Sequence, residues 1–418
     1  MATIPRRDGR IGVVTLIDAL TLGGAELLAV EIAKRLDRER FASTLCVSRA
    51  NHPIHDTVGD LPERVREGLA AAGVGYIPLT RGAAWDTRAW GPLVSLLRGG
   101  DVQVMHGHMH GSNAWAVILG RLTRLPVVVA HEHTWSFSGE PLRRLVDRHL
   151  IAAHSDMLVA CSEEDRRRMI AYIGIPSESV CYVPNGIDRH APTPGRDMRA
   201  ELGIAPDALV VGSVGMLREQ KRYDVLLRAA AILKPRFPNL RVVIVGSGEG
   251  ANRPEVETLA EELELGETLL LAGARSDIPD LLSTFDVAAL SSDYEGSPLS
   301  VMEYMEAGLP VVSTDVGGVA QMVHDGVHGL LVPRRDPDAL AGAIGELLAD
   351  PERRAEMGRR GRERRRQEYD LDVMVSRIEK LYLGLLANRA SNGQARLARS
   401  RRTEGDTLTA NRLGVSSQ

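Results

Sequence analysis

Short apolar, β-branched runs alternate along this chain with longer segments whose apolar residues recur at helical spacing. The first run is IGVVTLI (11–17), and Leu28, Ile32 and Leu36 mark the helix after it. Further strands are predicted at 43–48, 102–108, 126–132 and 156–162. Strands that alternate with helices indicate right-handed crossovers and a parallel sheet, and continuous apolar strands fit a sheet covered on both faces.

The alternation pauses at VPNGID (183–188) and RHAPTPG (189–195), a stretch rich in Pro and Gly. It then resumes, with strands predicted at 209–215, 240–248, 268–273, 286–292, 309–315 and 328–333. We therefore predict two α/β domains, residues 1–188 and 189–366. A chain of 418 residues also exceeds the usual size of a single hydrophobic core.

The C-terminal part has a helical pattern from about 337 to 386 and then loses it. We predict a last helix at 367–386 and a disordered tail at 387–418, which is polar and without periodicity. The basic stretch RRAEMGRRGRERRR (353–366) is predicted to be a solvated helix face, with contact to anionic lipid headgroups as the alternative.

Composition restricts the class of protein. Hydrophobic residues make up 44%, charged residues 25% and the net charge is -4, which fits a soluble globular protein and gives no reason to expect nucleic-acid binding. Cys46, Cys161 and Cys181 lie in apolar runs without metal-ligand spacing, so reduced thiols and a cytoplasmic location are expected. No apolar run has leader or membrane-spanning length, so any membrane contact would be peripheral, at the cytoplasmic face.

The segment SSDYEGSPLSVMEYMEAGLPVVSTDVGG (291–318) carries the clearest candidate chemistry. A strand is predicted to end near Ser292, with Ser297 as N-cap, Pro298 as first helical residue and Gly308 as the stop. The free N–H groups of such a helix start would form an anion site. Carboxylates nearby suit sugar or ribose hydroxyls better than phosphate.

Three other segments are candidates for ligand contact. Arg218 and Lys221 lie in a loop after the strand that ends at Gly215, where cations would suit a diphosphate. The pair Gly23-Gly24 precedes a helix and would let a ligand approach the backbone, although a plain turn is equally compatible. His131 and His133 lie at a strand end, and without an evident third ligand a polar histidine is favoured over a metal site.

Together these segments resemble glycosyltransferase family 4, the retaining enzymes of the GT-B fold, over most of residues 10–386. The most specific element is two glutamates separated by seven residues, within EGSPLSVMEYMEAGLPVV, which follows VPNGID and GMLREQK in that order. The resemblance implies two Rossmann-like domains facing a central cleft. The N-terminal domain would bind the acceptor and the C-terminal domain the nucleotide sugar, and the last helix would cross back to the first domain.

The resemblance also implies roles for individual residues. Glu303 would hold the ribose hydroxyls, Glu295 would lie beside the donor sugar, and Lys221 would bind phosphate. The donor phosphates would also meet the backbone at Gly296, Leu299, Ser300, Gly23 and Gly24. His133 would be the active-site histidine, with His131 the less favoured choice.

Two positions depart from the family pattern. Met216 stands where the family usually has an arginine, which Arg218 would have to replace, and Gln321 stands in place of a glutamate. The resemblance implies a metal-independent hexosyltransferase of glycan, glycolipid or cell-envelope polysaccharide synthesis, without a cofactor. A UDP- or GDP-sugar would be the donor and a glycan or lipid-linked molecule the acceptor. An epimerase, a phosphorylase and a non-catalytic subunit of the same fold are the alternatives.

Overall fold

Two compact units make up the chain in its computed structural model. The structure describes residues 9–21, 23–52, 60–83, 86–133, 141–247 and 252–412. By packing contacts, one unit comprises Met1–His131, Val146–Leu158 and Val375–Gln418, and the other comprises Glu132–Leu145 and Val159–Met374.

The first sheet has seven strands in the order β3-β2-β1-β4-β5-β6-β7. They are β1 Ile11–Ile17, β2 Phe41–Val47, β3 Gly75–Pro78, β4 Val104–His108, β5 Val127–Glu132, β6 Met157–Ala160 and β7 Val180–Tyr182. The pairs from β3 through β5 are parallel. All five strands predicted from the pattern are present, whereas the short β3 and β7 were not predicted.

Both faces of this sheet are covered, as continuous apolar strands require. Leu16 packs into one hydrophobic cluster and its neighbour Ile17 into another. The helices that precede or follow these strands are α1 Gly24–Arg35, α2 Leu61–Ala71, α3 Gly91–Arg98, α4 His110–Thr123, α5 Pro141–Val146 and α6 Glu163–Met169.

The second sheet is fully parallel, with six strands in the order β10-β9-β8-β11-β12-β13. They are β8 Leu209–Val214, β9 Leu240–Val245, β10 Leu269–Gly273, β11 Val287–Leu290, β12 Val311–Thr314 and β13 Gly329–Val332. All six were predicted from the hydrophobic pattern. Ile244 and Val245 pack into different clusters, so this sheet is also covered on both faces.

Helices cover the second sheet and continue to the C-terminal part. They are α7 Met198–Glu201, α8 Tyr223–Leu233, α9 Asn252–Glu262, α10 Ile278–Leu282, α11 Leu299–Ala307, α12 Val319–Met322, α13 Pro337–Ala349, α14 Pro351–Glu368 and α15 Leu371–Arg412. Within the described residues, no helix is long and apolar enough to cross a membrane.

Two boundary predictions need correction. The disordered tail predicted at 387–418 is wrong as far as residue 412, because α15 continues to Arg412; residues 413–418 lie outside the described part. The first sheet does end with β7, close to the predicted boundary at 188, but the chain from Val159 onward packs with the second unit. The C-terminal segment from Val375 packs with the first unit.

The basic stretch 353–366 is only partly the solvated face predicted for it: Arg359 and Arg360 are exposed, whereas other arginines of the stretch bond within the second unit. Arg362 donates to the carbonyls of Glu306 and Ala307 at the end of α11, and Arg364 donates to the carbonyl of Gln321. Arg365 is fully buried. The basic helix α14 therefore fastens parts of the second unit to one another, because several of its guanidinium groups satisfy backbone carbonyls.

Candidate active site

The strand order of the second sheet reverses between β8 and β11, and open α/β sheets bind ligands outside the carboxyl ends of their strands at such a point. The loop after β8 carries Lys221, and the loop after β11 carries Glu295. These two residues, chosen from sequence segments 74 positions apart, therefore meet at the predicted location for a ligand.

Lys221 and Glu295 form an ion pair at this point. The Lys221 Nζ lies 2.6 Å from Glu295 Oε1, and the two side chains are 15% and 8% exposed. Ser292 Oγ donates to the same carboxylate oxygen at 2.7 Å. The family resemblance implied phosphate binding for the lysine and a place beside the donor sugar for the glutamate, whereas in the structure the two groups pair with each other.

The turn that carries Glu295 and Gly296 is held by a pair of glycines after β12. The Gly318 N–H donates to the Gly296 carbonyl at 2.9 Å. Gly317 has a φ of 51°, and a Cβ there would lie 1.6 Å from the Glu295 carbonyl oxygen. Only glycine fits at 317, so this glycine pair is needed to position the Glu295 turn.

Helix α11 begins without a side-chain cap. Its N-cap is Pro298. The prediction of Ser297 as N-cap is therefore wrong by one residue: the Ser297 hydroxyl faces the Met322 sulfur at 4.0 Å instead of the helix. Leu299 and Ser300 are the first helical residues and are partly exposed, so their N–H groups can meet an anion. Gly308 ends α11 with a φ of 75°, as predicted.

Glu303 lies one turn into α11 and lines a cavity of about 590 Å³ in the second unit. Burial raises the pKa of Glu303 to about 7. Ile278 and Leu282 provide apolar wall, and Arg366 lines the cavity as well. A carboxyl group beside a cavity with an apolar wall can accept hydroxyl donors from a ligand whose flat, weakly polar part contacts that wall.

His133 follows β5 and packs within the second unit. It is 7% exposed, and burial lowers its pKa to about 4 despite a hydrogen bond with Asn185. The Asn185 amide in turn donates to the Ser297 carbonyl at 3.1 Å. Since a Cβ at Gly296 would lie 2.5 Å from the His133 carbonyl oxygen, this neutral histidine is placed against the Glu295 turn.

The other predicted site residues are placed as follows. Arg218 is exposed at the start of the turn that carries Lys221. Gly23 is the N-cap of α1, and its N–H donates to the Thr21 hydroxyl at 3.0 Å; Gly24 is the first residue of that helix. Both glycines belong to the first unit, at the carboxyl end of β1.

Sequence reasoning missed two groups of polar residues. His131 belongs to the first unit and clusters there with His106 and His108, which were not considered. The sequence signal was the HGH spacing in β4 together with a histidine, His131, near the end of β5. The roles of Asn185 and Ser292 were missed too. Asn185 contacts Ser297, 112 positions along the chain, and Ser292 contacts Glu295 within the same loop, three positions away.

Two family models match the chain. The model described as Glycosyltransferase Family 4 matches residues 22–191, and the one described as Glycosyl transferases group 1 matches residues 195–364. The second match contains Lys221, Glu295 and Glu303. Together the two matches leave unassigned only the ends of the chain and a three-residue gap.

Curated relatives are named for sugar transfer. A D-inositol 3-phosphate glycosyltransferase of Nocardia farcinica is 37% identical over 230 residues, which are 53% of this chain and 51% of the relative. The alignment thus spans about half the length of that protein. One of the same name from Corynebacterium aurimucosum is 29% identical over 400 residues, or 90% of this chain and 94% of the relative.

Solved structures share the fold. The Anabaena protein Alr3699/HepE in complex with UDP-glucose has a TM-score of 0.78 at 21% identity, covering 90% of this chain and 100% of that one. Sucrose-phosphate synthase from Thermosynechococcus elongatus has a TM-score of 0.73 at 21% identity, covering 91% and 100%. Two parallel-sheet units of this strand order, both family matches and these relatives show that the chain belongs to glycosyltransferase family 4, with the GT-B fold.

Proposed function

We propose that this protein transfers a sugar from a nucleotide-diphosphate donor to an acceptor hydroxyl with retention of configuration. The observation that carries the proposal is the arrangement along α11: uncapped N–H groups at its start, the Lys221–Glu295 pair beside it, and Glu303 one turn further along a cavity. The names of the relatives agree with sugar transfer.

The donor diphosphate would bind at the start of α11. Its charge would be met by the N–H groups of Leu299 and Ser300, by the helix dipole and by Lys221. Binding would draw the ammonium toward phosphate and free one oxygen of Glu295 to accept a hydroxyl of the donor sugar. Arg218, which is exposed nearby in sequence, would add charge in place of the arginine lost at Met216.

The nucleoside would lie against Glu303 and its cavity. The carboxyl group accepts the two ribose hydroxyls, and the apolar wall of Ile278 and Leu282 contacts the base. Uracil and guanine are both compatible with this wall, so UDP- and GDP-sugars are the donors to test first. The complex of Alr3699/HepE with UDP-glucose supports including the UDP-sugar.

The reaction would proceed by front-face substitution. The acceptor oxygen attacks the anomeric carbon on the side from which the diphosphate departs, and the departing phosphate oxygen takes the acceptor proton. Lys221 and the α11 amides stabilise the charge that develops on the leaving group, which is the main contribution this chain makes to the rate. His133, held neutral by burial, would accept or donate a hydrogen bond to the sugar without carrying charge.

Calorimetry followed by a transfer assay tests this function. Nucleotide diphosphates are titrated first, and the sugar nucleotides that bind are then incubated with acceptors, with inositol 3-phosphate included because of the names of the relatives. Proton NMR of the product reads the anomeric configuration. Donor conversion without acceptor would indicate an epimerase, phosphate-dependent cleavage a phosphorylase, and no nucleotide binding a non-catalytic subunit.

A further inference from the structure

Three buried histidines of the first unit lie side by side. His106, His108 and His131 are 0%, 1% and 0% exposed, and one ring nitrogen of each lies within 4.8 Å of those of the other two. The ring centroids are 4.2 Å apart for the first two and 5.3 Å and 5.2 Å from that of His131. We propose that these three imidazoles form a binding site for a divalent transition metal such as zinc.

The sheet itself creates the cluster. Residues two apart in a strand point to the same face, so His106 and His108 project together from β4. His131 on β5 is the register partner of His108 in a parallel pair. A pair of histidines two apart on one strand with a third on the neighbouring strand gives three nitrogens on one side of the sheet, held by backbone hydrogen bonds.

The chemistry of the ligands selects the metal. Three imidazole ligands suit Zn²⁺, Co²⁺, Ni²⁺ or Cu²⁺ and do not suit Mg²⁺ or Ca²⁺, which prefer oxygen. Zinc–nitrogen bonds are about 2.0–2.1 Å long, so the rings must approach one another by about 1 Å or slightly more from their present separation. Three protein ligands leave a fourth position open for water or another small ligand.

Tyr382 of α15 supports one of the rings. Its hydroxyl lies 2.6 Å from His106 Nδ1, and the tyrosine is fully buried. Because Nδ1 of His106 is engaged in this hydrogen bond, we assign Nε2 as its metal-binding nitrogen. Such outer contacts orient metal-ligating histidines and fix their tautomer. Asn113 holds the backbone of His131 through two hydrogen bonds, at 3.1 and 3.2 Å.

The proposal does not depend on sugar transfer, because the reaction proposed above uses none of these three histidines. The competing explanation is that the imidazoles merely pack as neutral polar groups of the sheet. The two explanations differ in one measurable property, the affinity of the full-length protein for the metal.

The experiment uses full-length protein, treated with a chelator and freed of it. Zn²⁺ binding is measured by calorimetry, and Co²⁺ serves as the optical probe. We expect one equivalent to bind, a higher melting temperature, and the intense visible absorption of four- or five-coordinate Co²⁺. Absence of stoichiometric Zn²⁺ binding, or only the weak spectrum of octahedral Co²⁺, would overturn the proposal.

Variants assign the ligands. Tyr382→Phe should weaken Zn²⁺ binding by about 10-fold to 100-fold, the usual cost of losing an outer contact, and His131→Gln should weaken it further. His149→Gln, at an exposed histidine, should change nothing. If the His131→Gln variant folds and binds Zn²⁺ with full affinity, His131 is not a ligand. If the variant does not fold, the Co²⁺ spectrum of the native protein tests whether the metal site exists.

Discussion

Lys221 and Glu295 are bonded to each other at 2.6 Å, at the point where the strand order of the second sheet reverses. Neither residue is near the other in sequence, and each belongs to a loop that follows a different central strand. Because the pair is largely buried, each charge depends on the other for its stabilisation. The same pair is proposed to separate on donor binding, which couples stability to function at this position.

Replacing Lys221 by methionine should therefore lower both the stability of the fold and the transfer activity. Loss of the ammonium leaves the Glu295 carboxylate buried without its partner, and the free energy of unfolding should fall by about 3 kcal/mol. Transfer activity should fall by about 10²-fold to 10³-fold in kcat, the scale seen when one stabilising group is removed from a developing anion. Urea denaturation and steady-state kinetics measure the two effects.

The double variant separates these effects. Lys221→Met combined with Glu295→Gln removes the stranded charge, so part of the lost stability should return while activity stays low. If the double variant were as unstable as the sum of the single variants, the ion pair would not be the source of the stability loss.

Gly317→Ala should disrupt the turn of Glu295. The new Cβ would have to occupy space 1.6 Å from the Glu295 carbonyl oxygen, and the residue would keep a φ of 51°. We expect a loss of donor binding and a lower melting temperature. Gly326→Ala is the matched control, since Gly326 has a φ of 71° with nothing within 4 Å of a Cβ. If the two substitutions had equal effects, the positive φ of each glycine, and not the clash with the Glu295 carbonyl, would explain the loss.

Ionisation of Glu303 should make donor binding depend on pH. Its pKa is raised to about 7 in the folded protein from an ordinary value of 4.5, so the folded state retains a proton that the unfolded state has released. Stability from this group is present below pH 4.5 and is lost as the pH rises through about 7. Affinity for a sugar nucleotide should rise over the same upper range, because the ionised carboxylate accepts two ribose hydroxyls.

Calorimetry with UDP-glucose or GDP-mannose between pH 6 and 8 measures this dependence. A sugar nucleotide is preferable to a free diphosphate, whose terminal phosphate itself titrates at a pKa of about 6. The Glu303→Gln variant should show no rise in donor affinity with pH. At high pH its free energy of unfolding should exceed that of the native protein. An unchanged pH profile in this variant would assign the dependence to another group.

His133 should make the protein less stable in acid. Burial lowers the pKa of His133 to about 4. Between about pH 6.5 and 4 the unfolded chain therefore binds a proton at this histidine that the folded protein does not bind. The free energy of unfolding should thus fall as the pH is lowered from about 6.5 to 4. His328 has its pKa lowered to about 4 as well, so His328→Gln is the comparison for His133→Gln. Each variant should lose less unfolding free energy than the native protein as the pH is lowered. Only His133→Gln should also reduce the rate of sugar transfer.

The hydrophobic pattern sufficed to predict eleven strands because each is a continuous apolar run with helical sequence on either side. It did not predict Gly75–Pro78 or Val180–Tyr182, which are short and lie at or near the edges of the first sheet, where burial leaves a weaker pattern. The helix to Arg412 was missed because its last part lacks apolar periodicity.

The candidate donor site was partly predictable. The start of α11 follows from local signals, a proline and a glycine at the expected distances, and the prediction erred by one residue. The bond between Lys221 and Glu295 did not follow, because it depends on which strands become neighbours. The histidine cluster was missed for the same reason: spacing reveals the face of one strand, whereas the third ligand comes from the register of the next.

Arg365 provides a test of how the basic helix α14 acts. Its guanidinium is 0% exposed and bonds to the carbonyls of Ile187 and Asp188. It also lies 3.3 Å from the carboxylates of Glu306 and Asp370. This one side chain thus satisfies backbone of the segment after β7 and two acidic groups of the second unit.

Arg365→Met should lower the free energy of unfolding by about 3–5 kcal/mol, because two carboxylates and two carbonyls lose a buried partner together. Arg359→Met is the control, because it removes the same charge from the same helix. The Arg359 side chain is 62% exposed and pairs with Glu356 and Glu363 on its own helix. Its urea midpoint should stay close to that of the native protein. If both variants shifted the midpoint equally, loss of positive charge would be responsible. If α14 served mainly to bind anionic membranes, Arg359→Met would reduce vesicle binding while leaving stability intact.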